Sequence, residues 1–119
     1  MTKKEEFEMI ISYSDRLVVF EFSAEWCAAC QVISPKLAKL SQTYPHVVFY
    51  NINADINHAI VEEADITRLP TFLIYLHGDL VDRLEGPSIS ELEMAISNWQ
   101  VTSRNSLTYL DKPSIYLSE

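Results

Sequence analysis

The chain has few cysteines, few cationic residues and no long apolar run. Its 119 residues include two cysteines and two glycines, and nine Lys or Arg stand against seventeen Asp or Glu, for a formal charge of −8. Binding to nucleic acid or to an anionic membrane surface needs a basic face. A membrane-spanning helix needs roughly 20 apolar residues in a row. We therefore expect one globular domain, with no nucleic acid and no membrane as partners.

The first residues lack the apolar core of a secretory signal. Lys3 and Lys4 are followed by Glu5, Glu6 and Glu8, which interrupt any such core. The sequence therefore favours a cytoplasmic protein in a reducing compartment. A lone cysteine pair in that setting is more often redox-active than structural.

Apolar periodicity predicts the element order α-β-α-β-α-β-β-α. Helical spacing covers 5–13, 57–64, the stretch from Cys27 to Pro45 with a kink at Pro35, and the stretch from Ser88 to Trp99. Strand-like runs cover 17–22, 47–52, 71–76 and 80–84, and the last two flank a hairpin around Gly78. The first two strands are joined by a helix and should be parallel. The pattern predicts an α/β fold with a mixed four-stranded sheet flanked by helices.

Cys27 and Cys30 lie where the strand pattern gives way to a helix pattern. A thiol in the first turn of a helix meets unpaired backbone N–H groups and the positive end of the helix dipole, and both favour the thiolate. The second thiol can close a short disulfide ring with the first. Zinc would need four ligands, and His46, His58 and His77 lack ligand spacing. The pair therefore indicates a reversible dithiol–disulfide centre with no metal and no other cofactor.

Several segments at consistent spacing resemble the thioredoxin family over residues 5–100. The run from Phe22 to Cys30, with Trp26 before the cysteines, is similar to the family's active-site segment. Leu69-Pro70-Thr71 resembles the segment where family members have a cis proline. Pro35, Gly78 and Gly86 match the helix kink, the hairpin glycine and the glycine beside the active site. The resemblance implies a thioredoxin fold.

The resemblance also implies that the protein reduces protein disulfides. Cys27 would be the nucleophile that forms a mixed disulfide with the client, and Cys30 would resolve it. Glu21 occupies the position of the family's buried aspartate and would transfer protons at Cys30; alternatively, it points to solvent at the sheet edge. The predicted client-binding residues are Trp26, Ala28, Ala29, Leu69, Pro70, Thr71, Glu85 and Gly86.

The partners implied by the resemblance are disulfide-containing client proteins and an electron donor of the thioredoxin-reductase type. We expect the protein to act as a monomer. Two other functions stay open, because a fold does not fix a function. One is a binding or scaffold protein with a weakly active cysteine pair, and the other is a net disulfide oxidant or isomerase.

Three positions depart from the family pattern. Ala28-Ala29 stands where members usually have Gly-Pro, and we expect a pair more oxidising than the thioredoxin value of about −270 mV. Asn51 stands where many members carry a lysine that partners the buried acid. Glu85 replaces an apolar residue, and its carboxylate should disfavour acidic clients. These departures favour a specialised member.

The two ends of the chain also depart from the family. A helix pattern begins near Lys3, so the family's N-terminal edge strand is missing and one parallel edge of the sheet should be uncovered, which is an aggregation hazard. We predict a thioredoxin domain over 1–101 and a flexible or loosely docked tail over 102–119. The apolar patches Tyr109-Leu110 and Ile115-Tyr116-Leu117 can cover the open edge, and the edge can also be a subunit contact. A disordered tail is the simplest expectation.

Overall fold

The computed structural model describes residues 1–103 and 116–118, and its elements follow the predicted order. The helices are α1 (Lys3–Tyr13), α2 (Ala28–Thr43), α3 (His58–Glu63) and α4 (Ile89–Ser103). The strands are β1 (Val18–Ser23), β2 (Val48–Asn53), β3 (Thr71–Leu76), β4 (Asp79–Glu85) and β5 (Tyr116–Ser118). The sheet order is β4-β3-β1-β2-β5. β1 and β2 are parallel, whereas β3 is antiparallel to both β1 and β4, which confirms the predicted mixed sheet of four strands.

A fifth strand from the C-terminal segment extends this sheet. β5 pairs parallel with β2, and Asn51 lies opposite Ser118. The expectation of an uncovered β2 edge is therefore corrected along this stretch. Residues 104–115 and 119, including the patch Tyr109-Leu110, lie outside the described residues, so the flexible or loosely docked state of the tail as a whole stays a prediction. The domain boundary at 101–102 stays a prediction.

Each face of the sheet has its own apolar core. Side chains alternate between the two faces along a strand, so Val19 packs with residues of α2 and α4. Phe20 packs on the opposite face with Phe7 of α1 and Ile60 of α3. Glu21 alternates with Phe20, which places its carboxyl on the face covered by α2. Because β1 lies between β2 and β3, the carboxyl of Glu21 is buried inside the fold.

Local sequence explains the helix starts and the hairpin turn. Ser88 and Glu91 form a reciprocal capping box at the start of α4, with hydrogen bonds of 2.8 Å and 3.1 Å. β3 and β4 are joined by His77 and Gly78, both with positive φ (51° and 88°), as a type I′ hairpin turn requires. Pro35 lies inside α2, which continues past it.

No helix in the described part of the chain has the length and apolar character needed to cross a membrane.

Candidate active site

Cys27 and Cys30 form a disulfide at the N-terminal end of α2. Their Cα atoms are 5.2 Å apart. Cys27 is the N-cap residue, and its sulfur accepts a hydrogen bond from the backbone N–H of Cys30 at 3.2 Å. Because this donor and the helix dipole both stabilise negative charge, the position favours a thiolate on Cys27 once the bond is reduced. Cys27 is 6% exposed and Cys30 is 2% exposed, so Cys27 is the more accessible residue of the pair.

The Leu69-Pro70 segment faces this disulfide. Its peptide bond is cis, as the resemblance predicted. Leu69 packs against the small cluster formed by Ala24, Cys27 and Cys30. The loop before β3 therefore lies beside the cysteines, although it is some forty residues away in sequence.

Gly86 closes the same side of the site at the end of β4. Its backbone N–H donates to the carbonyl of Pro70 at 2.9 Å. Its φ is +61°, a conformation that favours glycine. A Cβ added to Gly86 would meet no atom within 4 Å, so the space above its backbone is open to an approaching chain.

Two of the predicted groove residues do not lie on the surface. Pro70 and Thr71 are both buried, and Thr71 is fully so. The Thr71 hydroxyl donates to the carbonyl of Arg68 at 2.6 Å. Thr71 therefore fixes the loop through this hydrogen bond, and the side chains of Pro70 and Thr71 present little surface to a client, while their predicted place in the client-binding site stays a prediction. The exposed or half-buried members of the predicted groove are Trp26, Ala28, Ala29, Leu69, Glu85 and Gly86.

Trp26 is the most prominent apolar surface next to the cysteines. It is 69% exposed. Its indole Nε1 lies 3.1 Å and 3.0 Å from the two carboxylate oxygens of Asp55. The loops that follow β1 and β2 carry these two residues, and the carboxyl ends of parallel strands meet at one edge of the sheet. The ring is thus held in place while most of its surface stays accessible.

Glu21 is 2% exposed, and the alternative of a solvent-facing carboxyl at the sheet edge is wrong. Its two carboxyl oxygens have different partners. The Ser34 hydroxyl donates to Oε2, and Asn51 Nδ2 donates to Oε1 at 2.6 Å. Burial raises the pKa of Glu21, and the hydrogen bonds from Ser34 and Asn51 offset part of that rise. A buried carboxyl with a raised pKa on the face below α2 is suited to take up and return a proton.

Glu85 is exposed at the end of β4 and is not an isolated charge. Arg83 Nε lies 3.1 Å from its carboxylate. The guanidinium of Arg83 also donates to the carbonyls of Ala64, at 2.9 Å, and Asp65. The cation is thereby fixed beside Glu85, so the acidic field at this rim is weaker than the sequence predicted.

The sequence-based prediction of the site did not include Ser34, Asp55 or Arg83. Ser34 is four residues after Cys30 on α2, a spacing that places both on one helix face and was available from the sequence. Asp55 follows β2 just as Trp26 follows β1. Since the two strands were predicted to be parallel, the sequence could also have indicated that these two residues lie close together. Nothing in the local sequence indicated the contacts of Arg83. Among the described residues, no group of three or more His, Cys, Asp or Glu side chains is placed to hold a metal ion.

Comparison with known proteins agrees with this geometry. The family model named Thioredoxin matches residues 1–98. Thioredoxin 1 of Plasmodium falciparum is 37% identical over 99 residues, which cover 83% of this chain and 94% of that protein. Mitochondrial thioredoxin 3 of Saccharomyces cerevisiae, solved in its oxidised form, superposes with a TM-score of 0.77 at 34% identity and covers 82% of this chain and 92% of its own. The chain therefore belongs to the thioredoxin family, whose members are protein-disulfide reductases, and it is a thiol–disulfide oxidoreductase rather than a scaffold that only shares the fold.

Proposed function

We propose that Cys27 is the attacking nucleophile, Cys30 the resolving thiol and Glu21 the proton acceptor for Cys30. The Cys27 thiolate attacks one sulfur of a client disulfide, and the other client sulfur leaves as a thiolate that takes up a proton. Cys30 then gives its proton to Glu21 and attacks the sulfur of Cys27. The first client sulfur leaves, the Cys27–Cys30 disulfide forms, and two electrons have passed to the client.

The observation that carries this assignment is the position of the two sulfurs on α2. Cys27 caps the helix and is the more exposed, whereas Cys30 is more deeply buried and lies four residues before Ser34, the hydrogen-bond partner of Glu21. We therefore assign the attack on the client to the sulfur of Cys27 and the proton exchange with Glu21 to Cys30.

Trapping experiments separate the two roles. In a dithiothreitol-driven insulin reduction assay, both Cys27→Ser and Cys30→Ser should lose activity above background. Only Cys30→Ser should accumulate a mixed disulfide with a disulfide peptide, because its attacking thiol is intact and its resolving thiol is gone. A trapped adduct on Cys27→Ser alone would reverse the assignment, and an inactive wild-type protein would remove the reductase function itself.

We infer that an extended client segment binds across Trp26, Ala28-Ala29, Leu69 and Gly86. These residues surround the disulfide, and the backbone of Gly86 is open to a close approach. The carboxylate of Glu85 at the rim favours clients with basic flanks over acidic ones. Its ion pair with Arg83 reduces the size of this preference.

A partner reductase of the thioredoxin-reductase type returns the electrons in this proposal, and the protein works as a monomer in the cytoplasm. The Saccharomyces cerevisiae relative is mitochondrial by name, so imaging a fluorescent fusion of the complete gene product is the direct test of compartment. NADPH oxidation in a mixture of the protein, a thioredoxin reductase and insulin tests the donor. Gel filtration at micromolar concentration tests the monomeric state.

The reduction potential decides the direction of net electron flow. Ala28-Ala29 leaves a backbone N–H where a proline would have none, and that extra donor stabilises a thiolate at the helix end. We therefore expect a potential above about −270 mV by equilibration with glutathione. A value at or below it would remove this expectation. A strongly oxidising value would make the protein a net oxidant or isomerase.

A further inference from the structure

The carboxyl of Glu21 is held between two partners of different chemistry. Glu21 and Asn51 are direct partners in the parallel pairing of β1 and β2. Asn51 Nδ2 donates to Oε1 at 2.6 Å, and the Ser34 hydroxyl donates to Oε2 from α2. Each carboxyl oxygen therefore has its own fixed neighbour, one an amide and the other a hydroxyl.

The amide of Asn51 has a fixed orientation. Its Nδ2 also lies 2.9 Å from the hydroxyl oxygen of Ser23. A carboxylate only accepts hydrogen bonds, so the nitrogen of Asn51 must face Glu21. An amide nitrogen donates and never accepts, whereas a hydroxyl does both.

This difference decides which oxygen of Glu21 takes up a proton. A proton on Oε1 would face the N–H of Asn51, which cannot accept it. A proton on Oε2 would face Ser34, whose hydroxyl can turn from donor to acceptor. Oε2 is therefore the oxygen that titrates, and Ser34 is the group next to it.

Ser34 also connects this carboxyl to solvent and to Cys30. A cavity of about 560 Å³ beside the disulfide has Ser23, Cys30, Ser34 and Asn51 among its lining residues, and Glu21 is not one of them. Ser34 lies one helical turn after Cys30, on the same face of α2. The hydroxyl thus stands between the buried acid and the cavity that borders the resolving cysteine.

The surroundings of Glu21 contain little other charge. Of the residues that line the cavity, Glu25 is the one with a charged side chain. On its other side in the sheet, Glu21 is paired with Phe72 of β3, while α2 supplies Cys30 and Ser34. Among the described residues, the donors that balance the carboxylate of Glu21 are the neutral side chains of Ser34 and Asn51.

We propose that Ser34 and Asn51 are positioning residues for the proton step at Cys30, with Asn51 holding Oε1 as a permanent acceptor and Ser34 passing the proton between Oε2 and the cavity. This inference rests on the role proposed above for Glu21. As Cys30 attacks Cys27, its proton enters the cavity and reaches the oxygen of Ser34 through solvent. Ser34 gives its own hydroxyl proton to Oε2, so Ser34 ends neutral and Glu21 ends protonated.

A double-mutant cycle tests the role of Ser34. Ser34→Ala should slow insulin reduction at pH 7 by about tenfold, which is less than the roughly 10²–10⁴-fold loss typical of removing the acid–base group itself, because Glu21 is still present. The same change added to Glu21→Gln should have an effect below about twofold, because the pathway it serves is already gone. Ser34→Thr keeps the hydroxyl and should stay within about twofold of wild type. Ser41→Ala is the matched control, since Ser41 lies on the same helix and its hydroxyl donates to the carbonyl of Ala38 within that helix.

The titration of Glu21 is the second readout. Each of Ser34→Ala and Asn51→Leu removes a donor to the ionised carboxylate, so each should move the Glu21 carboxyl midpoint, followed by ¹³C NMR, to higher pH. Equal slowing by Ser34→Ala with and without Glu21, or a Ser34→Thr protein as slow as Ser34→Ala, would overturn the inference. If Glu21→Gln itself reduces insulin at the wild-type rate, the proposed role of Glu21 fails as well. The wild-type protein is assayed in parallel. If it reduces insulin, the reductase function stands even when the role of Glu21 fails.

Discussion

The indole Nε1 of Trp26 is bound by both carboxylate oxygens of Asp55, at 3.1 Å and 3.0 Å. This contact joins the segment after β1 to the segment after β2, directly beside the disulfide. It holds a ring that is 69% exposed in one orientation, although such a side chain would otherwise sample several rotamers. A client that packs on Trp26 therefore meets a surface that is already ordered.

Replacing Asp55 with Ala should weaken client reduction by about threefold, mainly through a higher KM, because the ring must then be ordered during binding. In a Trp99→Phe background, where Trp26 is the remaining tryptophan, its fluorescence emission should change when Asp55 is replaced with Ala. Asp55→Asn keeps an acceptor oxygen and serves as the control. An unchanged KM in Asp55→Ala would show that the hydrogen bond does not prepare the surface.

Replacing Glu85 with Gln should reduce the preference for basic over acidic disulfide peptides by about twofold, since exposed charge pairs contribute at most about 1 kcal/mol. The difference should shrink at high salt, because exposed charges are screened. Asp79→Asn is the control, since Asp79 is an exposed acid at the opposite end of β4. Equal rates for matched acidic and basic peptides with the wild-type protein would remove the role of Glu85.

Glu21 should make stability depend on pH in a defined direction. Burial raises its folded-state pKa above the unfolded value. Between those two pKa values the folded chain holds the proton and the unfolded chain does not, so stability falls as pH rises through that window. Glu21→Gln should therefore raise Tm by roughly 2–5 °C at pH 8 and by less near pH 4. The amide mimics the protonated carboxyl, since it can donate to Ser34 and accept from Asn51.

Thermal melts of wild type and Glu21→Gln over this pH range provide the measurement. Glu91→Gln is a useful comparison because the hydrogen bonds from Ser88 lower the pKa of Glu91. The contribution of Glu91 to stability should therefore depend on pH in the opposite direction. A Tm difference for Glu21→Gln that grew towards acid pH would contradict the raised pKa.

Removing residues 116–119 should lower Tm by roughly 3 °C and increase aggregation, because β5 pairs with the edge of β2 and an exposed edge strand recruits other chains. Removing Glu119 alone leaves β5 in place and should have no effect. Differential scanning fluorimetry and light scattering on the two truncations would make the comparison. Equal Tm values would mean that the pairing with β2 adds nothing to stability.

Much of this protein followed from the sequence because the signals were local. The apolar run 17–22 and the helix-spaced residues after Cys27 determined the types of β1 and α2, and the turn residues His77 and Gly78 determined the hairpin. The order of elements then limited the sheet, since a helix between two strands makes them parallel. The cysteine pair indicated the chemistry, because a thiol at a helix start is favoured as the thiolate that exchanges with disulfides.

The tertiary structure alone decided how these parts meet. Leu69 packs on the cysteines, Arg83 forms an ion pair with Glu85, and β5 covers the edge of β2 along its three residues. Whether Glu21 faced solvent or the interior depended on the register of β1 between β2 and β3, which only the packed sheet fixes. Its partners Ser34 and Asn51 come from two other elements, and a hydrogen bond between distant residues has no local signature. The sequence determined which groups can react, and the packing decided which of them share one site.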